Sequence, residues 1–272
     1  MQAPAVPPTP RFAPLPQRPP GRIFRSSVWA FVLRDLKSRY LTTRLGLLWA
    51  VADPAAVLFI FVAIHGVISG EEGAIHGASS AEFFFWGVLP YFMFAHAVSG
   101  ATGAIRASQG LLSYRQIQPM DVVIARVLIE WAVLMLVAVL TGFGWWLAGN
   151  EVEIDDWLGV ELYLMALALI GFAYGFLAEV VSTVVPDMRR IFGLSMRPML
   201  FISGLFFTMD MIPWGAEKYL VWNPVLHFVD LARGAALKGS DSPGDPLYAL
   251  LCTLGLLAVG LALYRRFRDQ LI

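Results

Sequence analysis

At 272 residues, 58% hydrophobic and only 15% charged, this chain has too little polar surface to cover a water-soluble globule, so much of its solvent must be lipid. Twenty Lys and Arg balance 20 Asp and Glu, which excludes a global bias toward nucleic acid. The single cysteine, Cys252, has no partner for an internal disulfide.

Residues 1 to 20 hold eight of the 17 prolines and no basic segment followed by an apolar core. They read as a disordered, extended tail through about residue 24, not as a cleavable signal peptide. Next, Val28, Trp29, Val32, Leu33, Leu36 and Tyr40 share one side of a helix whose other side shows Arg34, Lys37 and Ser38. The pattern predicts an amphipathic helix lying in the cytoplasmic interface, and the same face would suit packing on a protein partner.

Six stretches are then apolar and long enough to cross a bilayer as helices, at about 47–69, 83–105, 123–148, 158–184, 191–209 and 247–264. The expected architecture is an all-α integral membrane protein with six transmembrane helices. Lys and Arg number eight before Leu45, three from Arg106 to Arg126, three from Arg189 to Arg197, and three at Arg265, Arg266 and Arg268. The alternate gaps hold only Lys218, Arg233 and Lys238, so the positive-inside rule puts both termini in the cytoplasm. The opposite loops are acidic, with Glu71, Glu72, Glu82, Glu151, Glu153, Asp155 and Asp156.

Between spans five and six, residues 213–236 are apolar but interrupted by Asn223-Pro224, and each half is too short to span. They predict two short helices dipping back from the outer, periplasmic face as a re-entrant segment that shapes an exit.

Chemistry-bearing motifs are few. No G-x-x-x-x-G-K-[ST] or H-E-x-x-H occurs, and His65, His76, His96 and His227 form no metal-ligand spacing, so neither a metal nor an ATP site is expected in this chain. Ionisable groups inside spans are costly and so are functional or paired, which singles out Asp53, Arg126, Glu130 and Glu179. Arg126 and Glu130 stand at i, i+4, a spacing that forms ion pairs, and Glu179 is expected at similar depth. Such a network either locks the bundle or changes partners during a cycle. Seven of nine tryptophans, Trp49 and Trp222 among them, lie near predicted membrane boundaries. That is an interfacial aromatic belt, or a set of rings on which sugar C–H faces stack.

Four blocks in order carry a family resemblance. Tyr40-Leu-Thr-Thr-Arg-Leu-Gly46-Leu-Leu-Trp49-Ala-Val-Ala-Asp53-Pro54 resembles the opening of ABC-2 type polysaccharide export permeases. Ala107-Ser-Gln-Gly110-Leu-Leu-Ser-Tyr114-Arg-Gln-Ile-Gln-Pro119-Met-Asp121, with Arg126 and Glu130 beyond it, resembles the first cytoplasmic loop and third helix of the capsular branch. Pro186-Asp187-Met-Arg-Arg190 and Trp222-Asn223-Pro224-Val-Leu-His227-Phe-Val-Asp230-Leu-Ala-Arg233 are similar to its second cytoplasmic loop and external re-entrant segment. The resemblance covers residues 25–272 and leaves the proline-rich tail outside it.

The resemblance implies a half-transporter of the bacterial inner membrane that forms a homodimer and works with two copies of a separate ATPase, which would bind ATP and Mg. It is then not itself an enzyme. The resemblance also maps an ATPase-coupling helix onto Arg106, Gln109, Gly110, Leu111, Leu112, Tyr114 and Arg115. It implies a channel lined by spans one and five that carries a lipid-linked acidic capsular polysaccharide from cytoplasm to periplasm, toward a co-polymerase-type export protein. Arg25, Arg34, Lys37, Arg39 and Arg44 are candidates for attracting an anionic headgroup or acidic sugars, with Trp49 and Trp222 along the same pathway. The same architecture would serve O-antigen, teichoic acid or a drug, and a membrane-embedded enzyme or an ATP-independent scramblase remains as a different class.

Overall fold

The structure, a computed structural model, describes residues 20–37, 79–112, 118–147, 153–213, 215–238 and 242–267, with scattered positions between 48 and 64. Among the described residues all regular structure is helical. The elements are α1 (Pro20–Leu36), α2 (Ser80–Ala101), a 3-10 turn (Arg106–Ser108) running into α3 (Gln109–Leu112), α4 (Pro119–Leu147), α5 (Trp157–Val184), α6 (Met188–Ile202), α7 (Glu217–Leu220), α8 (Pro224–Ala236) and α9 (Pro246–Phe267). The expected first span lies largely outside the described residues, and α1 starts ahead of the expected boundary at residue 24.

Among the described residues four helices, α2, α4, α5 and α9, are long and apolar enough to cross a membrane. Each starts on a local signal. Ser79 and Glu82 form a reciprocal capping box on α2, with Glu82 N donating to Ser79 Oγ at 3.3 Å and Ser79 N to Glu82 Oε2 at 2.9 Å. Asp156 Oδ1 accepts from Gly159 N at 3.0 Å to open α5, and Asp245 Oδ1 accepts from Leu247 N at 2.9 Å to open α9. Pro119 and Pro246 stand at first positions, where a missing N–H costs nothing.

The most buried pairing is α2 against α5. Gly171 and Gly175 stand one turn apart on α5, and a Cβ at Gly171 would come within 2.5 Å of the Phe94 carbonyl and one at Gly175 within 2.7 Å of Ala101 Cβ. This small-xxx-small pair lets backbones approach where no hydrophobic drive exists between helices in lipid. Around it Trp86, Phe94, Leu134, Leu167, Leu205 and Phe228 form one core. A second core, of Val28, Phe31, Ala104, Ile105, Val123, Phe176 and Tyr264, joins α1 to the turn after α2.

The expected span at 191–209 takes a different form. Its helix is α6, which ends at Ile202 after 15 residues, about 22 Å of rise against a hydrocarbon core of about 30 Å. Beyond it Gly204 adopts φ +77°, a left-handed conformation natural to glycine. The released carbonyls are taken up by side chains from α8. The segment at 213–236 is broken as expected, into α7 and α8 on either side of Asn223-Pro224.

Candidate functional site

Two clusters of polar side chains sit within this apolar frame. The first lies where α1, the turn after α2, the start of α4 and the end of α5 meet. Arg126 Nε donates to Asp35 Oδ2 at 3.1 Å, and Arg34 Nη2 donates to Asp35 Oδ1 at 2.9 Å and to Ser108 Oγ at 3.3 Å. Asp35 is buried at 5% exposure, so its charge is held by two guanidinium groups, one from its own helix and one from α4. The Arg34 guanidinium also lies 4.9 Å from the centre of the Phe31 ring.

Glu179, with 0% exposure, closes the cluster from α5. Its Oε2 accepts from Gly103 N at 2.6 Å and its Oε1 from Arg106 N at 3.4 Å, while Arg189 Nη2 stands 3.7 Å away. Gly103 has φ +81°, which turns the chain sharply out of α2 and aims its N–H at the carboxylate. One buried carboxylate therefore holds the start of the turn after α2 and faces an arginine at the start of α6.

The structure gives the expected intramembrane network different partners. Arg126 and Glu130 share a face of α4, but Arg126 reaches Asp35 of α1 while Glu130 Oε2 lies 3.2 Å from His96 Nδ1 of α2. Glu179 holds backbone amides instead of joining them. Asp53 lies outside the described residues.

On α1 the structure shows which residues meet the bundle. Val28, Phe31 and Asp35, spaced three and four residues apart, form the buried stripe, whereas Trp29 and Leu33 are 63% and 51% exposed. Asp35 escaped the reading of the sequence. Its signal was an acidic residue in register with Val28 and Phe31 on an otherwise basic helix. Between α1 and α4 runs a groove of about 840 Å³ lined in part by Arg25, Trp29, Leu36, Trp131 and Leu136. Among the described residues the buried indole N–H of Trp131 finds no hydrogen-bond partner.

Of the other expected pathway residues, Lys37 and Trp49 are exposed, and Arg39 and Arg44 lie outside the described residues. On the expected coupling segment Arg106, Gln109 and Gly110 are exposed, Leu111 and Leu112 lie in α3 without described side chains, and Tyr114 and Arg115 are outside the described residues.

The second cluster fixes the break after α6. Arg233, 1% exposed on α8, donates to the carbonyls of Phe207 at 3.1 Å, Gly204 at 2.8 Å and Leu205 at 3.2 Å, and stacks 4.3 Å from the Phe83 ring centre. Gly87 leaves the room, since a Cβ there would collide with the guanidinium. Asp230, one turn earlier, accepts from Met209 N at 3.2 Å and Ser242 Oγ at 2.6 Å. Asn223 caps α8 by accepting from Val225 N at 3.1 Å, and its amide donates to Ile202 O at 3.0 Å and Ser203 Oγ at 3.1 Å. His227 Nδ1 accepts from Asp245 N at 2.9 Å, which leaves Nε2–H to donate to Val221 O at 2.8 Å. Trp222 is 76% exposed, and its carbonyl accepts from Tyr248 OH at 2.9 Å. Sequence reading saw the Asn223-Pro224 break but counted Arg233 only as an external cation.

Among the described residues no group of His, Cys, Asp and Glu is arranged to hold a metal ion. What the two clusters can do is mechanical: the first ties α1, the turn after α2, α4 and α5 together through charged and backbone contacts, and the second fixes an interrupted helix.

Comparison with known proteins identifies the family. Residues 26–237 match the family model of the ABC-2 type transporter. The chain is 35% identical over 247 residues to the polysialic acid transport protein KpsM of Escherichia coli, covering 90% of this chain and 95% of that one. It is 26% identical over 258 residues to the capsule polysaccharide export inner-membrane protein CtrC of Neisseria meningitidis, covering 90% and 92%. It is 27% identical over 250 residues to the corresponding protein BexB of Haemophilus influenzae, covering 88% and 89%. With the family model spanning most of its length and its helices built for a bilayer, the chain belongs to the ABC-2 type transporter family.

Proposed function

We propose that this chain is the permease half of an ATP-driven exporter that moves a lipid-linked acidic capsular polysaccharide across the bacterial inner membrane, through a channel between two copies. The observation that carries the reading is the match to KpsM over nearly the full length of both chains, supported by the capsule-export relatives CtrC and BexB. A separate ATPase supplies the energy, six crossings place both termini in the cytoplasm, the fifth made by α6 together with the non-helical chain that follows Ile202, and the segment at 213–236 re-enters the membrane from the periplasmic side, where an export protein continues the path.

The polar clusters suggest how force travels. The ATPase docks on the loop from Arg106 to Arg115, and displacement of that loop pulls on two anchors. Glu179 passes it to α5 through the Gly103 and Arg106 amides, and Ser108 passes it to α1 through Arg34. Because α1 is one wall of the groove lined by Arg25 and Trp131, its movement opens or closes the place where the anionic lipid-linked end enters from the cytoplasmic leaflet. Nucleotide does this only by binding one of the two arrangements better than the other.

Co-expression with a candidate ABC ATPase from the same organism tests this division of labour. The expected result is a complex of two copies of each chain whose ATP hydrolysis stops when the Leu111 and Leu112 positions carry aspartate. A permease that exports with no ATPase bound would overturn the reading. Another cargo is the alternative, favoured by 27% identity over 251 residues to nodulation protein J of Rhizobium leguminosarum. The glycan retained on loss of the gene separates the two.

A further inference from the structure

Two donors from different segments are aimed at one buried oxygen. Glu179 Oε2 accepts from Gly103 N at 2.6 Å, and Arg189 Nη2 stands 3.7 Å from the same atom. A bond between guanidinium and carboxylate closes to about 2.7–2.9 Å, so Arg189 stops about 1 Å short of it. The other oxygen, Oε1, accepts from Arg106 N at 3.4 Å, a long bond. The turn after α2 thus has one tight and one loose hold on Glu179, while α6 has a third within reach.

Glu179 is 0% exposed, so no open water replaces a donor that leaves. Withdrawing the Gly103 and Arg106 amides would strand a buried carboxylate, which costs far more than the net worth of the bonds. The turn can therefore move only if another donor takes the carboxylate as it goes. Arg189 is placed for that, with its guanidinium already beside Oε2 and its side chain still 34% exposed and so with room to shift.

The start of α6 is built to follow. Arg189 is the second residue of the helix, and only Val185, Pro186 and Asp187 join α5 to α6. Six residues beyond Arg189, about 9 Å along the helix, Tyr174 OH of α5 meets Ser195 Oγ at 2.5 Å, and the Tyr174 and Phe192 rings meet edge to face at 5.6 Å. At the far end the Asn223 amide holds the Ile202 carbonyl. With these points fixed, a pull on Arg189 becomes a tilt of the start of α6 about Tyr174.

We propose that Arg189 is the positioning residue that couples the turn after α2 to α6. As the turn withdraws its amides, Glu179 exchanges them for the Arg189 guanidinium and draws the start of α6 toward α5. The exchange needs an acceptor oxygen at 179 and a long cationic donor at 189. Both arrangements keep the buried carboxylate bonded, which makes them two alternatives whose balance nucleotide can shift. The proposal rests on the reading of this chain as a permease moved by a separate ATPase, and it adds α6 to what that ATPase moves.

The test is hydrogen–deuterium exchange, read by mass spectrometry, on the full exporter in lipid nanodiscs without nucleotide and with ATP plus vanadate. In the wild type, amides 103–108 are expected to exchange about tenfold faster with nucleotide. Arg189→Met, which keeps the stem and removes the donor, should match the wild type without nucleotide and lose the acceleration. Arg189→Lys should restore it, and ATPase co-purification checks that each variant is folded. Fast exchange of 103–108 in Arg189→Met before nucleotide is added would make Arg189 a structural support and overturn the proposal. An acceleration in Arg189→Met equal to that of the wild type overturns it too. In the wild type alone, 103–108 staying protected while other permease segments respond overturns the proposal and leaves the ATP-driven reading standing. No response anywhere in the permease, with the ATPase bound, overturns both.

Discussion

Arg126 Nε donates to Asp35 Oδ2 at 3.1 Å, and this contact fastens α1 to the candidate membrane span α4 through charges that are almost wholly out of water. Removing one partner strands the other, which in buried pairs costs roughly 3–5 kcal/mol, whereas replacing both with apolar residues of similar size is often neutral. Asp35→Ala is therefore expected to release α1 and expose its basic residues to trypsin, and Asp35→Leu with Arg126→Leu to recover much of the loss. Limited proteolysis of the solubilised protein decides it: equal cleavage in Asp35→Ala and wild type would mean that α1 is held by its apolar stripe alone.

Glu179 makes a separable prediction, because it holds backbone amides of the turn after α2. Glu179→Gln keeps one acceptor oxygen and should retain most coupling, while Glu179→Ala strands the Gly103 and Arg106 N–H groups, about 1–3 kcal/mol for each buried donor. The readout is hydrolysis and export measured together: Glu179→Ala should leave the ATPase bound but hydrolysing without transport. Normal export by Glu179→Ala would remove Glu179 from the force path.

Close approach of α2 to α5 rests on two missing methyl groups. Gly171→Val would drive side-chain atoms into the Phe94 carbonyl, and overpacking of this kind costs about 1–3 kcal/mol even where neighbours can shift. Yield of folded protein and its melting temperature should both fall. Gly255→Ala, on α9 with nothing within 4 Å of the added carbon, should leave both unchanged. Equal behaviour of the two variants would contradict the packing account.

The clamp after α6 predicts a graded series at Arg233. Arg233→Met keeps the stem but leaves three carbonyls without their donor, and about 3 kcal/mol or more of stability should go with them. Arg233→Lys, with a single compact ammonium in place of a planar fork, should fall between. Thermal unfolding measures the series. A Met variant as stable as wild type would show that Asn223 and Asp230 suffice.

Much of the fold was legible because lipid simplifies the code. The runs that became α2, α4, α5 and α9 are apolar for the length a bilayer demands and carry cap or proline signals at their starts, so their ends were displaced by only a few residues. The failure at α6 has a physical cause. Hydropathy continues past Ile202 through Leu205, Phe206 and Phe207, yet the helix stops because Arg233 and Asn223, more than 20 residues downstream, satisfy the carbonyls that leaving the helix exposes. Long-range capping of that kind has no local signature.

The same division runs through the site. Arg126, Glu130 and Glu179 could be singled out because an ionisable group in a span must have a reason. Their partners could not be read, since a buried carboxylate is satisfied as well by amides as by an arginine. The i, i+4 spacing of Arg126 and Glu130 suggested the nearest pairing. Helix packing supplied Asp35 and His96, which lie on other elements.

The central claim is that this chain carries acidic polysaccharide across the inner membrane. Its most direct test is to delete the gene in its host, restore it on a plasmid in a parallel strain, and locate lipid-linked polysaccharide in both. The account predicts loss of surface capsule with anionic polymer retained in the cytoplasm, reversed in the complemented strain. Normal surface capsule in the deletion strain, with no polymer retained inside, would contradict it.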